Sequence, residues 1–249
     1  MPMHRAVNSK FFKKWSPEMA YVLGFFSADG SMLRNNRGAH FIEFHITDRN
    51  LLFDIRKTLG SNHKITVRNR DERWKLGYRL QIGSKDMFED LQRLGFSQAK
   101  SKTLKFPKVP GKYFPHFVRG YFDGDGNVHF KKYWAKDRNK MKWHFSSRFT
   151  SGSRPFLATL HTELQLHGVK GGFIVAKIRG YELVLSHRDS LVLYRLMYHN
   201  VRGNLYLLRK YKIYQKVIKT MYAGVAQLVS SAALSRRRLR VRVPSLAHR

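Results

Sequence analysis

Two continuous apolar runs stand out from a chain whose remaining segments mostly alternate. Tyr21–Ser31 reads Y-V-L-G-F-F-S-A-D-G-S, and Phe117–Asn127 reads F-V-R-G-Y-F-D-G-D-G-N. Each has a glycine in mid-run (Gly24, Gly120), a small residue four positions on (Ala28, Gly124) and a closing Asp-Gly. Helical spacing places Gly24 with Ala28, and Gly120 with Gly124, on one face. Such bare faces let two helix backbones approach closely. The closing glycines, Gly30 and Gly126, read as helix stops. Helices packed on these faces would bring Asp29 and Asp125 side by side.

Around each run the polar and apolar positions predict the same succession of elements. Ser16-Pro17-Glu18 starts a helix, with Ser as N-cap and Pro in the first turn, that runs to about Ala28. A strand from Ser31 turns at Asn35–Gly38 and returns as His40–Thr47, with Ile42, Phe44 and Ile46 alternating with Glu43, His45 and Thr47. Asp48 caps a helix over Leu51–Leu59, stopped by Gly60. A second hairpin follows, Lys64–Arg70 and Arg73–Ile82, with Trp74, Leu76, Tyr78, Leu80 and Ile82 on one face. Ser84 starts a helix to Leu94, and a linker with Pro107, Pro110 and Pro115 leads to the second run. There the order recurs: strands Asn127–Trp134 and Lys142–Thr150, helix Arg154–Leu166, hairpin Phe173–Arg179 and Tyr181–Ser186, and helix Asp189–Met197. In the strand Lys142–Thr150, Trp143, Phe145 and Phe149 share the apolar side. A last helix is expected from about Asn204 to Tyr222.

The chain is thus read as α+β, two pseudo-symmetric αββαββα repeats with one four-stranded antiparallel sheet each. The expected units are residues 1–110, with a basic aromatic N-terminal arm, 111–222, and a basic tail over 223–249.

Composition narrows the partner. Forty-eight Lys and Arg against sixteen Asp and Glu give +32 and a pI near 10.7 in 249 residues. An excess of this size points to a polyanion. The 14% aromatic content argues for a folded basic surface rather than a basic tail. No cysteine excludes disulfides and cysteine-ligated zinc and suits a reducing interior, so an intracellular location is expected. No run reaches membrane-spanning length.

The paired motifs, G-F-F-S-A-D-G and G-Y-F-D-G-D-G, resemble the LAGLIDADG motif, and the chain is similar to single-chain LAGLIDADG homing endonucleases. The resemblance implies helices packed through the motifs and a DNA-binding sheet in each half. It also implies metal-dependent cleavage of a long, pseudo-palindromic DNA site by a monomer, as in intron mobility. The family's metal-binding position falls on Asp29 and Asp125, with the preceding Ala28 and Gly124 in the same site and Mg²⁺ or Mn²⁺ as cofactor. Ser27 departs from the family's first acidic position without touching that pair. A calcium loop starting at Asp123 fails on spacing, because Val128 holds its glycine position and Trp134 its closing glutamate. One basic residue per half is implied near the scissile phosphate. Lys100 and Lys210 match best, with Lys102, Arg209 and Lys212 as neighbours.

On the sheets, the outward, DNA-facing positions are read as Glu43, His45, Lys64, Arg68, Arg70, Arg73, Lys75, Arg79 and Gln81 in the first half. In the second they are Lys131, Lys142, His144, Ser146, Arg148, Lys177 and Arg179. Arg, Gln, His and Ser can read base edges in the major groove, while Lys anchors phosphate. Two other readings stay open: an intron RNA maturase, and a non-catalytic DNA-binding protein that would be expected to lose Asp29 or Asp125. An intein-embedded nuclease is not expected, because neither end has the splicing residues. Residues 223–249 resemble the conceptual translation of a bacterial transfer-RNA gene. They are read as an accidental, disordered extension, or else as a genuine tail adding non-specific affinity.

Overall fold

The computed structural model describes residues 5–68, 75–199, 201, 203 and 205–221. In chain order the first half holds α1 (Pro17–Asp29), β1 (Gly30–Arg34), β2 (His40–Ile46), α2 (Arg49–Thr58), β3 (Ile65–Arg68), β4 (Gly77–Gly83) and α3 (Lys85–Arg93). The second half holds α4 (Phe114–Asp125), β5 (Gly126–Ala135), β6 (Lys140–Ser151), α5 (Arg154–Leu166), β7 (Phe173–Lys177), β8 (Gly180–Leu185) and α6 (His187–Tyr198). A further helix, α7, covers 208–221. Two antiparallel sheets result, ordered β1-β2-β4-β3 and β5-β6-β8-β7. No helix among the described residues is long and apolar enough to cross a membrane.

Local chemistry places the helix starts. Ser16, Asp48, Ser84 and Ser153 each accept a hydrogen bond from a backbone N–H three residues on, satisfying a donor the helix leaves free. The helix α1 is buried along Met19–Ser27, because it lies between the first sheet and α4 rather than at the surface. Its Gly24 faces the Phe117 carbonyl and the Tyr121 amide of α4, and Gly120 faces the Tyr21 carbonyl of α1. The small-residue faces therefore meet as the sequence implies. Phe25, Phe26 and Phe44 carry the contact into the first core, and Phe122, Phe149 and Tyr214 into the second.

Gly30 and Gly126 end the two motif helices as expected. Both are extended, at φ −94° and −87°, and pass straight into β1 and β5. Glycine is needed there because a Cβ would overlap the ring of Phe26 or Phe122.

Three expectations shift. Leu76 lies before β4 and is 45% exposed, so the inward face of that strand is Tyr78, Leu80 and Ile82. Trp143 is 41% exposed although it shares the inward side with Phe145. The β5–β6 hairpin pairs out to Ala135, and Trp143 stacks on Phe130 at 4.3 Å with Lys132 over it. The helix expected from Asn204 starts at 208, leaving Leu205 and Leu207 buried in the preceding connection. Arg70, Arg73, Trp74 and the tail from 222 onward lie outside the described residues.

Candidate active site

Because α1 and α4 pack glycine to backbone, their C-terminal ends converge. Gly124 meets Ala28, and a Cβ on Gly124 would lie 3.1 Å from Oδ2 of Asp29. Burial raises the pKa of both Asp29 and Asp125. The nearby Asp125 charge raises Asp29 further, to about 7. Two carboxylates held this close with little water are an incomplete arrangement without positive charge between them.

Positive charge arrives from both halves in the same way. Lys100 and Lys210 are buried, and each turns its ammonium onto the end of its own motif helix. Lys100 Nζ donates to the Ser27 carbonyl at 2.9 Å and sits over the Phe26 ring. Lys210 Nζ donates to the Phe122 and Asp123 carbonyls at 2.6 and 2.8 Å, and to Gly124 at 3.3 Å, and sits over the Phe122 ring. A cation at a helix C-terminus is favoured by the helix dipole. Burial lowers both lysines to about 8 while the aspartates resist the fall. Among the neighbours, Lys102, Arg209 and Lys212 are exposed, so the geometry singles out Lys100 and Lys210.

The described residues hold no cluster of three or more His, Cys, Asp or Glu. A cation at the helix ends would therefore rest on two carboxylates, backbone oxygen and water. That oxygen-only donor set fits Mg²⁺ or Mn²⁺.

The pH consequence has a definite sign. With its folded pKa raised from 3.8 to about 7, Asp29 destabilises the metal-free fold increasingly as pH rises between those values. A divalent cation that binds the ionised pair should therefore raise the melting temperature more at pH 8 than at pH 5. Calorimetry with and without MgCl₂ checks this, and an equal shift at both values would contradict it.

Asp123, which occupies the motif's first acidic position, has a different environment. It is buried, and its Oδ2 accepts from the Tyr21 hydroxyl of α1 at 2.7 Å and from the Leu207 N–H, just before α7, at 2.9 Å. It thus ties both motif helices to the start of the helix that carries Lys210. Its Oδ1 has no partner among the described residues, and burial raises its pKa to about 6. Beside it, the buried Arg119 donates to the Leu205 and Met197 carbonyls. Sequence reasoning left this network out; its only signal was an arginine inside an apolar motif.

Asp29 opens onto a groove between the two sheets, a cavity of about 690 Å³ whose lining also includes Gly124, His45, Arg68, Lys75, Arg179 and Arg209. Register puts Ser31, Glu43, His45, Arg79, Gln81 and Arg68 on the outer face of the first sheet. Lys64 is exposed just ahead of β3. On the second, Lys131, Lys142, His144, Ser146 and Arg148 share the outer face with Lys177, and Arg179 is exposed in the β7–β8 turn. Two expected surface readers are corrected. Glu43 is only 4% exposed, because Gln81, His45, Ser31 and Arg79 all close on its carboxylate. Ser146 is buried at 3% exposure, with its hydroxyl against His144. Asn127, His129 and Tyr133 were missed on the outer face of β5. The inward alternation of Val128 and Phe130 would have found them.

Fold and site together match the two-repeat LAGLIDADG fold: paired motif helices, one sheet per half, two aspartates at the joint. Residues 16–94 match the model of the LAGLIDADG-like domain. Among solved structures, I-SmaMI bound to uncleaved DNA target in the presence of calcium ions is 14% identical, with a TM-score of 0.57 over 91% of this chain and 97% of that one. The homing endonuclease I-WcaI bound to its DNA recognition sequence is 12% identical, with a TM-score of 0.55 over 81% and 88%. An uncharacterized protein of Methanocaldococcus jannaschii is 24% identical over 83% of this chain and 73% of its own length. At these identities the structural likeness is one of fold.

Proposed function

We propose that the chain is a site-specific DNA endonuclease that makes a metal-dependent double-strand break in a long, pseudo-palindromic target. The observation that carries the reading is the meeting of Asp29 and Asp125, backed by Lys100 and Lys210, beside a groove between two basic sheets that Asp29 lines. DNA-bound neighbours with the same fold support the same partner.

The chain's own groups divide the work. The outer sheet faces bind and align the duplex, with Arg68, Lys75, Lys177 and Arg179 exposed for phosphate. Asp29 and Asp125 would hold the divalent cation, which would supply an activated water and charge stabilisation on the phosphate. Lys100 and Lys210, near their neutral range at about 8, can stabilise the phosphate charge and deliver a proton to the leaving oxygen.

Two halves in one chain supply both motif helices, so one chain should serve one duplex. A strand of roughly eight residues spans about 26 Å, and two end to end about 52 Å. At about 3.4 Å per base pair this covers on the order of 15 pairs, more once loops reach outward. Incubation of a random duplex library with this protein and Mg²⁺ should yield products cut in both strands near the centre of one asymmetric site. Footprinting and sedimentation of the complex should show a footprint of at least that length and one chain per duplex. Two chains per duplex, or no cleavage of any sequence, would overturn the proposal.

A further inference from the structure

The two sheets carry the same ion pair with its charges exchanged. Gly30 pairs with Phe44 in the first sheet and Gly126 with Phe149 in the second, directly after the two aspartates. Counting from those pairs, Glu43 on β2 corresponds to Arg148 on β6. Through the next ladder, Glu43 faces Gln81 and Arg148 faces Val184, while Arg79 pairs with His45 and Glu182 with Thr150. Arg79 therefore corresponds to Glu182, and Gln81 to Val184. Both diagonals form: Arg79 Nη1 to Glu43 at 3.5 Å, and Arg148 Nη1 to Glu182 at 3.4 Å.

The exchange changes what each half offers. In the first half the acid is the inner member and is saturated by its four neighbours, so the available guanidinium is Arg79 on β4, 34% exposed. In the second half the guanidinium itself is on the inner strand. Arg148 is 36% exposed; its Nε is buried and has no hydrogen-bond partner among the described residues, so what it presents outward is its Nη end. Lys177 also holds Glu182, at 3.5 Å, so that the carboxylate fixes the fork without absorbing it. Neighbouring strands are about 4.8 Å apart, which exceeds the base-pair rise of about 3.4 Å. Forks rooted on different strands are therefore offset from mirror-related positions over the duplex.

We infer that this exchanged pair is a specificity device that breaks the palindrome of the target. Arg148 reads a guanine in the second half-site, and the mirror-related base pair in the first half-site has no arginine reader. Arginine suits guanine because its fork matches the O6 and N7 acceptors in the major groove. The inference rests on the DNA-cleavage reading, which it deepens by naming a base and the residue that sets it.

The test is selection of bound duplexes from a randomised library by the full chain without divalent metal, read as base preference at each position. The wild type should show a guanine preference on the order of tenfold or more at one position of the second half-site. No such preference should appear at the mirrored position. Arg148→Ala should lose that preference while the first half-site profile stays. The triple variant Glu43→Arg, Arg79→Glu, Gln81→Val rebuilds the second-half pattern in the first sheet, and guanine should appear at the mirrored position. If the triple variant fails to fold by circular dichroism, the single substitution decides alone. Sequence-specific binding with a guanine profile that Arg148→Ala leaves unchanged overturns this inference and leaves the endonuclease reading standing. Wild-type binding with no sequence preference removes both.

Discussion

Asparagine at either Asp29 or Asp125 is expected to remove double-strand cleavage and to leave DNA binding in place. Each substitution keeps the size of the side chain and removes one of the two negative charges between which a cation would sit. Metal-assisted charge stabilisation is worth several kcal/mol in hydrolysis, and each 1.36 kcal/mol is tenfold, so a loss on the order of 10³-fold or more is expected. Binding is carried by sheet residues that neither substitution touches. Metal-free affinity should even rise slightly, since one repulsive charge leaves the neighbourhood of the groove. Ser27→Ala is the control from the same motif. Its hydroxyl donates to the Leu23 carbonyl of its own helix at 2.7 Å and reaches neither aspartate, so activity should change little. Cleavage assays with Mg²⁺, paired with metal-free gel shifts, separate the outcomes. Full cleavage by either asparagine variant would end the metal assignment.

Most of the fold was legible because the sequence repeats one local grammar twice: cap, apolar run, Asp-Gly, alternating hairpin. The convergence of Asp29 and Asp125 follows from helical spacing and small residues, which need no tertiary information. What was not legible lies where long-range contacts override the local pattern. Glu43 alternates as an outward residue and does point outward, yet three cross-strand partners and His45 of its own strand bury it. Trp143 alternates as core, but its hairpin outruns the helices that would cover it. Asp123 reads as one more acid of the second motif, with no sign of its partners, and is a buried tie between Tyr21, 102 positions away in the chain, and the start of α7. Lys100 and Lys210 were separable from neighbouring cations only once their ammonium groups were seen on the helix-end carbonyls.

Alanine at Gly24 or Gly120 should destabilise the protein strongly, even though helix propensity predicts the opposite. Replacing a mid-helix glycine by alanine normally favours the helix by about 1 kcal/mol. At these two positions the added Cβ would overlap a backbone carbonyl, Phe117 for Gly24 and Tyr21 for Gly120. A flexible side chain could swing aside, but a backbone carbonyl in the facing helix moves only if the helices separate. Overpacking of a tight core costs typically 1–3 kcal/mol, occasionally more, and a backbone obstacle belongs at the upper end, so the packing term wins. A net loss of about 2–3 kcal/mol corresponds to a fall in melting temperature of roughly 4–12 °C in a domain of this size. Cleavage should fall further than stability does, because separating α1 from α4 also separates Asp29 from Asp125, and misplacement by about 1 Å can cost on the order of 10²-fold. Gly111→Ala serves as the comparison, since nothing lies within 4 Å of its added Cβ, and it should leave melting nearly unchanged. Thermal denaturation of the three variants, with cleavage rates at a temperature where all remain folded, gives the answer. A melting temperature for Gly24→Ala and Gly120→Ala at or above that of the wild type would mean that the motif helices are not packed glycine to backbone, and the placement of the aspartates would fall with it.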